Sequence, residues 1–393
     1  MCIKEGEEVL DGMENLSLCN SDHHEDNKSW PLNNTQMGDC PNSSTDTTNF
    51  TIGLDITTDS LTLESICESN AIIDSKENQM ENFLPSIRSG EWSDDGGRDF
   101  MEDTHVCIAD LGKKFGCNIL EGEAISFFGV FDGHGGKAAA NFARDNLPRV
   151  IVEDADFPLK LETVVTRSFM QIDAAFEKKC CIQSTLSSGT TALTAMIYGR
   201  SLLVANAGDC RAVLSRLGVP IELSKDHRPD CLKEKERIES LGGFVDGEGY
   251  LNGELGVTRA LGDWHIAGMK KSSEQGGPLS AEPELKLITL TKEDEFLIIG
   301  SDGIWEVFTS ENGIDFARRR LQEHNDVKQC CREIVEEAKN RNASDNLTVV
   351  IVCFQSNLPQ NVVVPRSCGV RRSISSQGFQ HLKSCLSEDW ILQ

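Results

Sequence analysis

The chain has 393 residues, 39% of them hydrophobic, which is enough for one large domain or two ordinary ones. Acidic residues outnumber basic ones 63 to 38, so the formal net charge of −25 argues against nucleic acid or an anionic membrane as partner. The sequence also has no signal-peptide pattern, no apolar run long enough to span a membrane and no CxxC pair, so we expect an intracellular protein of the cytoplasm or nucleus with free thiols.

Composition divides the chain into three parts. Residues 1–85 are acidic and polar without periodicity, which is typical of a disordered extension. Residues 86–356 alternate between strand-like and helix-like segments and are predicted to form the folded domain. Residues 357–393 return to a polar composition and are predicted to be a flexible tail. Within the domain, the charged and Gly-rich stretch 226–256 predicts a surface excursion between core strands.

Short apolar runs with turn residues around them predict buried strands in the folded domain. In chain order these runs are AISFFGVF, SLLVANA, ELKLITL, EFLIIGS and LTVVIVCF. Helices are clearest in LETVVTRSFMQIDAAF and DVKQCCREIVEEAKN, and KAAANFARDNL is also predicted to be helical.

Several of these strands lead directly into an acidic residue. Asp132, Asp209 and Asp302 each follow a buried run, and Asp345 comes just before one. Glu102 and Asp103 precede a further apolar stretch. A single such acid is usually a turn residue, but several held close together would repel one another unless cations bind between them. Because all the donors are oxygens, the pattern favours Mg²⁺ or Mn²⁺.

Two other motifs must be weighed against a metal site. The segment from Gly133 to Ala138, between a strand and a helix, matches the dinucleotide-binding fingerprint, although an aspartate and a histidine flank its glycines. The segment from Cys231 to Arg237 matches the C-x5-R pattern of cysteine-dependent phosphatases. Its intervening residues LKEKE lack glycine and favour a helix, so we do not expect a phosphate-binding loop there.

Taken in order, nine blocks resemble the metal-dependent serine/threonine protein phosphatases of type 2C, particularly plant members. They are RDFMED, FFGVFDGHGG, SSGTTA, ANAGDCRAVL, LSKDHRP, ERIESLGGFV, NGELGVTRALGD, GSDGIWEV and SDNLTVV. The resemblance implies an α+β fold, a four-layer αββα sandwich of two antiparallel β-sheets flanked by helices, with a binuclear metal centre at one end. It also implies that stretch 226–256 is a flap beside the active site.

The resemblance assigns a role to each site residue. It implies that Asp132 bridges two Mg²⁺ or Mn²⁺ ions, that the Gly133 carbonyl and Glu102 bind one ion, and that Asp302 and Asp345 bind the other. Asp103 would act through bound water, Asp209 would help to hold a weaker third ion, and Asp263 would line the same centre. Arg98 would bind the substrate phosphate, although it could instead pair with Glu102, and His134 would protonate the leaving group.

The implied reaction is direct attack on phosphorus by a hydroxide that bridges the two ions, which hydrolyses phosphoserine or phosphothreonine. A catalytically inactive, phosphoprotein-binding scaffold is the alternative, and it would be expected if a metal-binding carboxylate were missing. We expect a monomer whose substrates are phosphoproteins, namely signalling kinases or their targets. The flap carries Tyr250 and no tryptophan, so we do not expect the hormone co-receptor role known in some plant members. Ser373 and Ser375 follow two arginines, as in sites for basophilic kinases.

Overall fold

Two five-stranded antiparallel sheets form the centre of the structure. The structure is a computed structural model, and it describes residues 83–116, 124–183, 186–271, 276–357 and 359. The strands of the described residues are β1 Arg88–Asp94, β2 Thr104–Ile108, β3 Ile125–Phe131, β4 Gly133–His134, β5 Gly189–Thr190, β6 Ala192–Tyr198, β7 Ser201–Ala207, β8 Arg211–Arg216, β9 Val219–Glu222, β10 Leu261–Gly262, β11 Glu284–Thr289, β12 Asp294–Gly300 and β13 Leu347–Cys353. One sheet has the order β1-β13-β12-β8-β9 and the other β11-β7-β6-β3-β2, while β10, β5 and β4 form a small third sheet.

Helices cover the outer face of each large sheet. They are α1 Leu111–Phe115, α2 Ala138–Glu153, α3 Leu161–Ile182, α4 Leu232–Ser240, α5 Asp302–Trp305, α6 Ser310–His324 and α7 Val327–Asn340. Helices α2 and α3 share an apolar cluster with the sheet that contains β3, and α6 and α7 share another with the sheet that contains β13. A third cluster lies between the two sheets. The structure therefore confirms the four-layer αββα sandwich.

The apolar runs of the sequence follow from this layering. Every residue of β3 is buried, and alternate side chains point to opposite faces of the strand. Phe127 and Phe131 face the helices, whereas Phe128 and Val130 face the second sheet. A strand that is covered on both faces needs apolar residues at consecutive positions, which is why the run is uninterrupted.

The five predicted strands are present, but the sequence analysis did not predict three other long strands, β1, β6 and β8. Strand β1 carries Arg88, Glu91 and Asp94, and its register with β13 covers all seven residues. Strand β8 begins and ends with arginine. Pairing with a central strand, rather than the local apolar pattern, stabilises these segments.

The flap packs against the rest of the domain more closely than the predicted surface excursion would. It contains α4, and Ile238, Leu251 and Leu255 pack into a small apolar cluster with Met269 and Leu279 from beyond residue 256. The backbone amide of Thr258 also donates to the carbonyl of His227, which closes the base of the flap at 2.9 Å.

Some sequence predictions lie outside the described residues. They concern the extension up to residue 82 and the tail beyond residue 359, with Ser373 and Ser375. Among the described residues, no helix combines the length and apolar character needed to cross a bilayer. The described cysteines are free thiols, as the sequence predicts.

Candidate metal centre

Three of the predicted carboxylates meet at one end of the sandwich. Asp132 directly follows β3, Asp302 opens α5 after β12, and Asp209 lies between β7 and β8. Each offers an oxygen atom, and the three oxygens lie within 4.8 Å of one another. The rigid ends of core strands thus bring together acids that are up to 170 positions apart in the chain.

Burial and mutual repulsion make these carboxyl groups hard to ionise. Burial raises the pKa of Asp132 well above its usual value, and the charges of Asp103, Asp302, Asp209 and Asp345 raise it further. Burial also raises the pKa of Asp209 to about 7 and, with the nearby charge of Asp345, raises the pKa of Asp302. A bound cation would reverse this effect by favouring the ionised forms.

Asp103 lacks an assigned hydrogen-bond donor among the described residues. Its side chain is buried, and neither carboxylate oxygen has a hydrogen-bond partner within the described residues. The hydroxyls of Ser301 and Thr348 lie near this carboxyl group and favour its ionised form, although their assigned hydrogen bonds go to the Asn346 carbonyl and to Ser93. Burial raises the pKa of Asp103 to about 6. Buried oxygens without donors are what a cation, or water bound to a cation, would satisfy, so the residues present fit a divalent metal ion.

Arg98 and Asp345 lie at the edge of the acid cluster. The Arg98 Nη2 atom donates to Asp345 Oδ2 at 2.6 Å, and the Arg98 side chain is 57% exposed. The Asp345 charge, followed by those of Asp302 and Glu102, raises the pKa of Arg98. The hydrogen-bond partner of Arg98 is therefore Asp345 rather than Glu102, although all three acids lie near its guanidinium group.

The glycines of FDGHGG allow close backbone approach around these acids. A Cβ at Gly133 would collide with the backbone carbonyl of Glu102, and Gly135 and Gly136 have φ values of 66° and 114°. The Gly136 amide donates to Glu102 Oε1 at 2.6 Å. Glu102 is thus held beside Gly133, as the predicted shared ion would require.

His134 pairs with Asp263. Its Nε2 atom lies 2.8 Å from Asp263 Oδ2, and the other oxygen of Asp263 is buried without a described partner. Burial disfavours the charged imidazole, but the hydrogen bond and charge of Asp263 outweigh it, so the pKa of His134 is raised. The structure therefore places Asp263 against the predicted general acid, where the sequence analysis expected it only to line the metal centre.

Three further residues shape this site, and the sequence analysis gave them no role. Arg228 Nη2 lies 3.0 Å from Asp209 Oδ2 and 3.3 Å from Asp302 Oδ2, so it links two of the clustered acids. Glu306 has a raised pKa because of burial and the charges of Asp302 and Asp345. Arg228 lies in the block LSKDHRP and Glu306 in the block GSDGIWEV, so the resemblance to the family could have pointed to both residues.

The third residue, Asp173 on α3, holds the loop that carries Asp263. Its Oδ1 atom accepts hydrogen bonds from the Gly262 amide at 2.7 Å and from Lys270 Nζ at 2.6 Å. Trp264 Nε1 lies 3.2 Å from the same oxygen. Asp263 itself has φ 59°, so its conformation depends on such support. No local pattern in α3 distinguishes Asp173 from other helical acids.

Neither rival motif forms its expected site. Cys231 caps α4, and Arg237 lies within that helix and pairs with Glu234, so no loop cradles a phosphate there. Strand β3 pairs antiparallel with both β2 and β6, whereas a dinucleotide-binding unit needs parallel strands.

Comparisons with known proteins show which family the chain belongs to. A family model described as "Protein phosphatase 2C" matches residues 88–347. The rice protein "Probable protein phosphatase 2C 27" is 65% identical over 324 residues, which cover 82% of this chain and 91% of the relative. The Arabidopsis thaliana protein "Probable protein phosphatase 2C 22" is 54% identical over 312 residues, covering 79% of each chain.

Solved structures show a similar fold at lower sequence identity. A C. elegans sex determining protein matches with a TM-score of 0.61 and 23% identity, covering 77% of each chain. A serine-threonine phosphatase 2C from Toxoplasma gondii matches with a TM-score of 0.57 and 22% identity, covering 70% of this chain and 98% of that one. At such identities these two matches concern the fold alone.

Proposed function

This chain belongs to the protein phosphatase 2C family of serine/threonine protein phosphatases, and we propose that it hydrolyses phosphoproteins with two Mg²⁺ or Mn²⁺ ions and a weaker third. The observation that carries the metal dependence is the cluster of Asp132, Asp209 and Asp302, whose oxygens lie within 4.8 Å of one another. Beside it lies Asp103, whose buried carboxylate has no assigned hydrogen-bond partner among the described residues. Arg228 pairs with Asp209 and Asp302, yet the pKa values of Asp132, Asp209 and Asp302 remain raised, so the cluster would be costly to keep ionised unless metal ions compensate it.

The residues present provide oxygen ligands for each ion. One ion would be held by Glu102, the Gly133 carbonyl and Asp132, and the other by Asp132, Asp302 and Asp345. Asp103 would hold a water ligand, and Asp209 would contribute to the third ion. When bound, such ions would acidify a water molecule, so that a nucleophile for phosphorus exists near neutral pH, and would neutralise phosphoryl charge.

Arg98 would bind the phosphoryl group of the substrate. Only one of its guanidinium nitrogens is engaged by Asp345, and more than half of the side chain is exposed. The remaining N–H groups can donate to two phosphoryl oxygens at once, since the guanidinium fork matches their geometry. Asp345 orients Arg98 for this contact.

His134 would protonate the departing serine or threonine oxygen. Asp263 occupies Nε2, so Nδ1 is the ring nitrogen that can give a proton to the substrate. The raised pKa of His134 keeps the imidazole protonated closer to neutral pH, which a proton donor to a basic alkoxide needs. Asp263 thus both orients the ring and favours its acid form.

Purified protein tests this proposal directly. We expect phosphate release from a phosphothreonine peptide with Mn²⁺ or Mg²⁺ present, no release in EDTA, and loss of activity in Asp132→Asn. The matched control is Asp156→Asn, which changes a surface aspartate paired with Arg167 and should retain activity. Absence of release with metal present would contradict the proposal and favour the inactive scaffold.

Three predictions from the sequence stay predictions: cytoplasmic or nuclear location, a monomeric state, and signalling kinases or their targets as substrates. The same is true of the expectation that no hormone receptor uses the flap, where Tyr250 is 44% exposed. Receptor-dependent inhibition of the purified phosphatase would contradict that expectation.

A further inference from the structure

One buried side chain fixes the loop that carries Arg98. Asn346 Oδ1 accepts from the Glu102 amide at 2.8 Å, and Asn346 Nδ2 donates to the carbonyls of Asp95 and Phe100 at 3.0 Å each. Asn346 itself is only 5% exposed. The loop between β1 and β2 is therefore held at three backbone points, and the position of Phe100 is one of them.

The Phe100 side chain nevertheless projects into solvent. It is 78% exposed, and the flanking residues Arg98 and Asp99 are exposed as well. A single exposed apolar residue usually needs no explanation. Here, however, an aromatic ring stands on a loop fixed by a buried side chain, two residues from the arginine placed to bind phosphate and two residues from Glu102.

The spacing puts this ring within reach of residues that flank the phosphorylated one. Two successive peptide units span at most about 7.6 Å between the Cα atoms of Arg98 and Phe100. An extended substrate advances about 3.3 Å per residue. A peptide whose phosphate lies on Arg98 can therefore pass with its neighbouring side chains, one or two positions away, over the Phe100 ring.

We propose that Phe100 is a specificity residue, whose ring contacts an apolar side chain next to the phosphoserine or phosphothreonine of an extended substrate segment. The ring offers a preorganised apolar surface, since the loop does not have to be ordered on binding. The nearby exposed acids Asp95 and Asp99 disfavour an acidic side chain at that position. This inference rests on the proposed phosphatase function and deepens it by naming a substrate class.

The test compares two phosphothreonine peptides, one with leucine and one with alanine on both sides of the phosphothreonine, and p-nitrophenyl phosphate. We expect the unchanged protein to have the higher kcat/KM on the leucine peptide. In Phe100→Ala this preference should fall by about fivefold, mainly through KM, because covering one ring face removes about half of its apolar area from water. Phe100→Tyr should keep the preference, since the ring remains.

The matched control is Leu159→Ala, which removes an apolar side chain that is 86% exposed in the loop between α2 and α3. It should leave the ratio between the two peptides unchanged. An undiminished leucine preference in Phe100→Ala would overturn the inference. So would an equal loss on both peptides and p-nitrophenyl phosphate, which would mean that Phe100 acts by shaping the Arg98 loop. If the unchanged protein hydrolyses none of the three, the phosphatase proposal itself fails, and this inference with it.

Discussion

Replacing Asp103 with asparagine should stabilise the metal-free protein. Asp103 is buried, its carboxylate oxygens have no described hydrogen-bond partner, and burial raises its pKa from 3.8 to about 6. Each unit of such a rise costs the folded state about 1.4 kcal/mol at a pH above both values, which sets an upper limit of about 3 kcal/mol. The asparagine amide must also be buried, so we expect a net gain of roughly 1–2 kcal/mol at pH 7.5.

The pH dependence of this difference has a definite sign. A carboxyl group whose pKa is raised on folding destabilises the folded state above that pKa, and the penalty disappears as the pH falls toward the unfolded value. The difference in the free energy of unfolding between Asp103→Asn and the unchanged protein should therefore shrink as the pH falls from 7.5 to 4. Urea unfolding in EDTA across this range measures it.

Metal ions should reverse the order of stability. With saturating Mg²⁺, the unchanged protein should gain more stability than Asp103→Asn, because a bound cation stabilises the carboxylate only where one is present. Asp156→Asn serves as the control, since Asp156 is a surface residue paired with Arg167 and Lys160. An Asp103→Asn protein no more stable than the unchanged one in EDTA at pH 7.5 would refute the reasoning.

Three further predictions concern the flap, the general acid and the close contact between Gly189 and Asp263. Glu234→Gln should lower the free energy of unfolding by about 2 kcal/mol at pH 7. Burial raises the pKa of Glu234, but hydrogen bonds from two arginines outweigh burial and hold this pKa at about 2. The loss of stability should shrink as the pH falls below 4.5, which chemical unfolding at pH 7 and pH 3.5 measures. His134→Asn should lower kcat on a phosphothreonine peptide by about 10²-fold or more but much less on p-nitrophenyl phosphate, whose leaving group needs little protonation; equal losses would contradict the acid role. Gly189→Ala should lower peptide kcat by at least about tenfold with little change in circular dichroism, since its Cβ would collide with the Asp263 carboxylate that holds His134; retained activity would count against that contact.

Much of the architecture could be predicted from local patterns. The apolar runs of β3, β7, β11, β12 and β13 were recognisable because burial of a strand on both faces leaves no place for polar residues. The acids at the strand ends were recognisable for a related reason, since Asp132 and Asp302 interrupt long apolar runs at the first position that leaves the core. The order of nine short blocks then identified the family.

Other elements could not be predicted because their stability is not local. Strand β1 reads RSGEWSD, and nothing in that heptapeptide predicts that all seven residues pair with β13 more than 250 positions away. Asp173 likewise looks like any helical acid until α3 packs beside Gly262 and Lys270.

The sequence by itself determined which chemical groups are available, where buried strands end in acids, and which family the chain resembles. Tertiary structure alone decided which groups meet: His134 with Asp263, Arg98 with Asp345, and Asn346 with the loop of Phe100. These partners are 129 to 247 residues apart. Periodicity and motif spacing report burial and conformation within a few turns of chain, whereas such contacts depend on how the two sheets are paired and stacked.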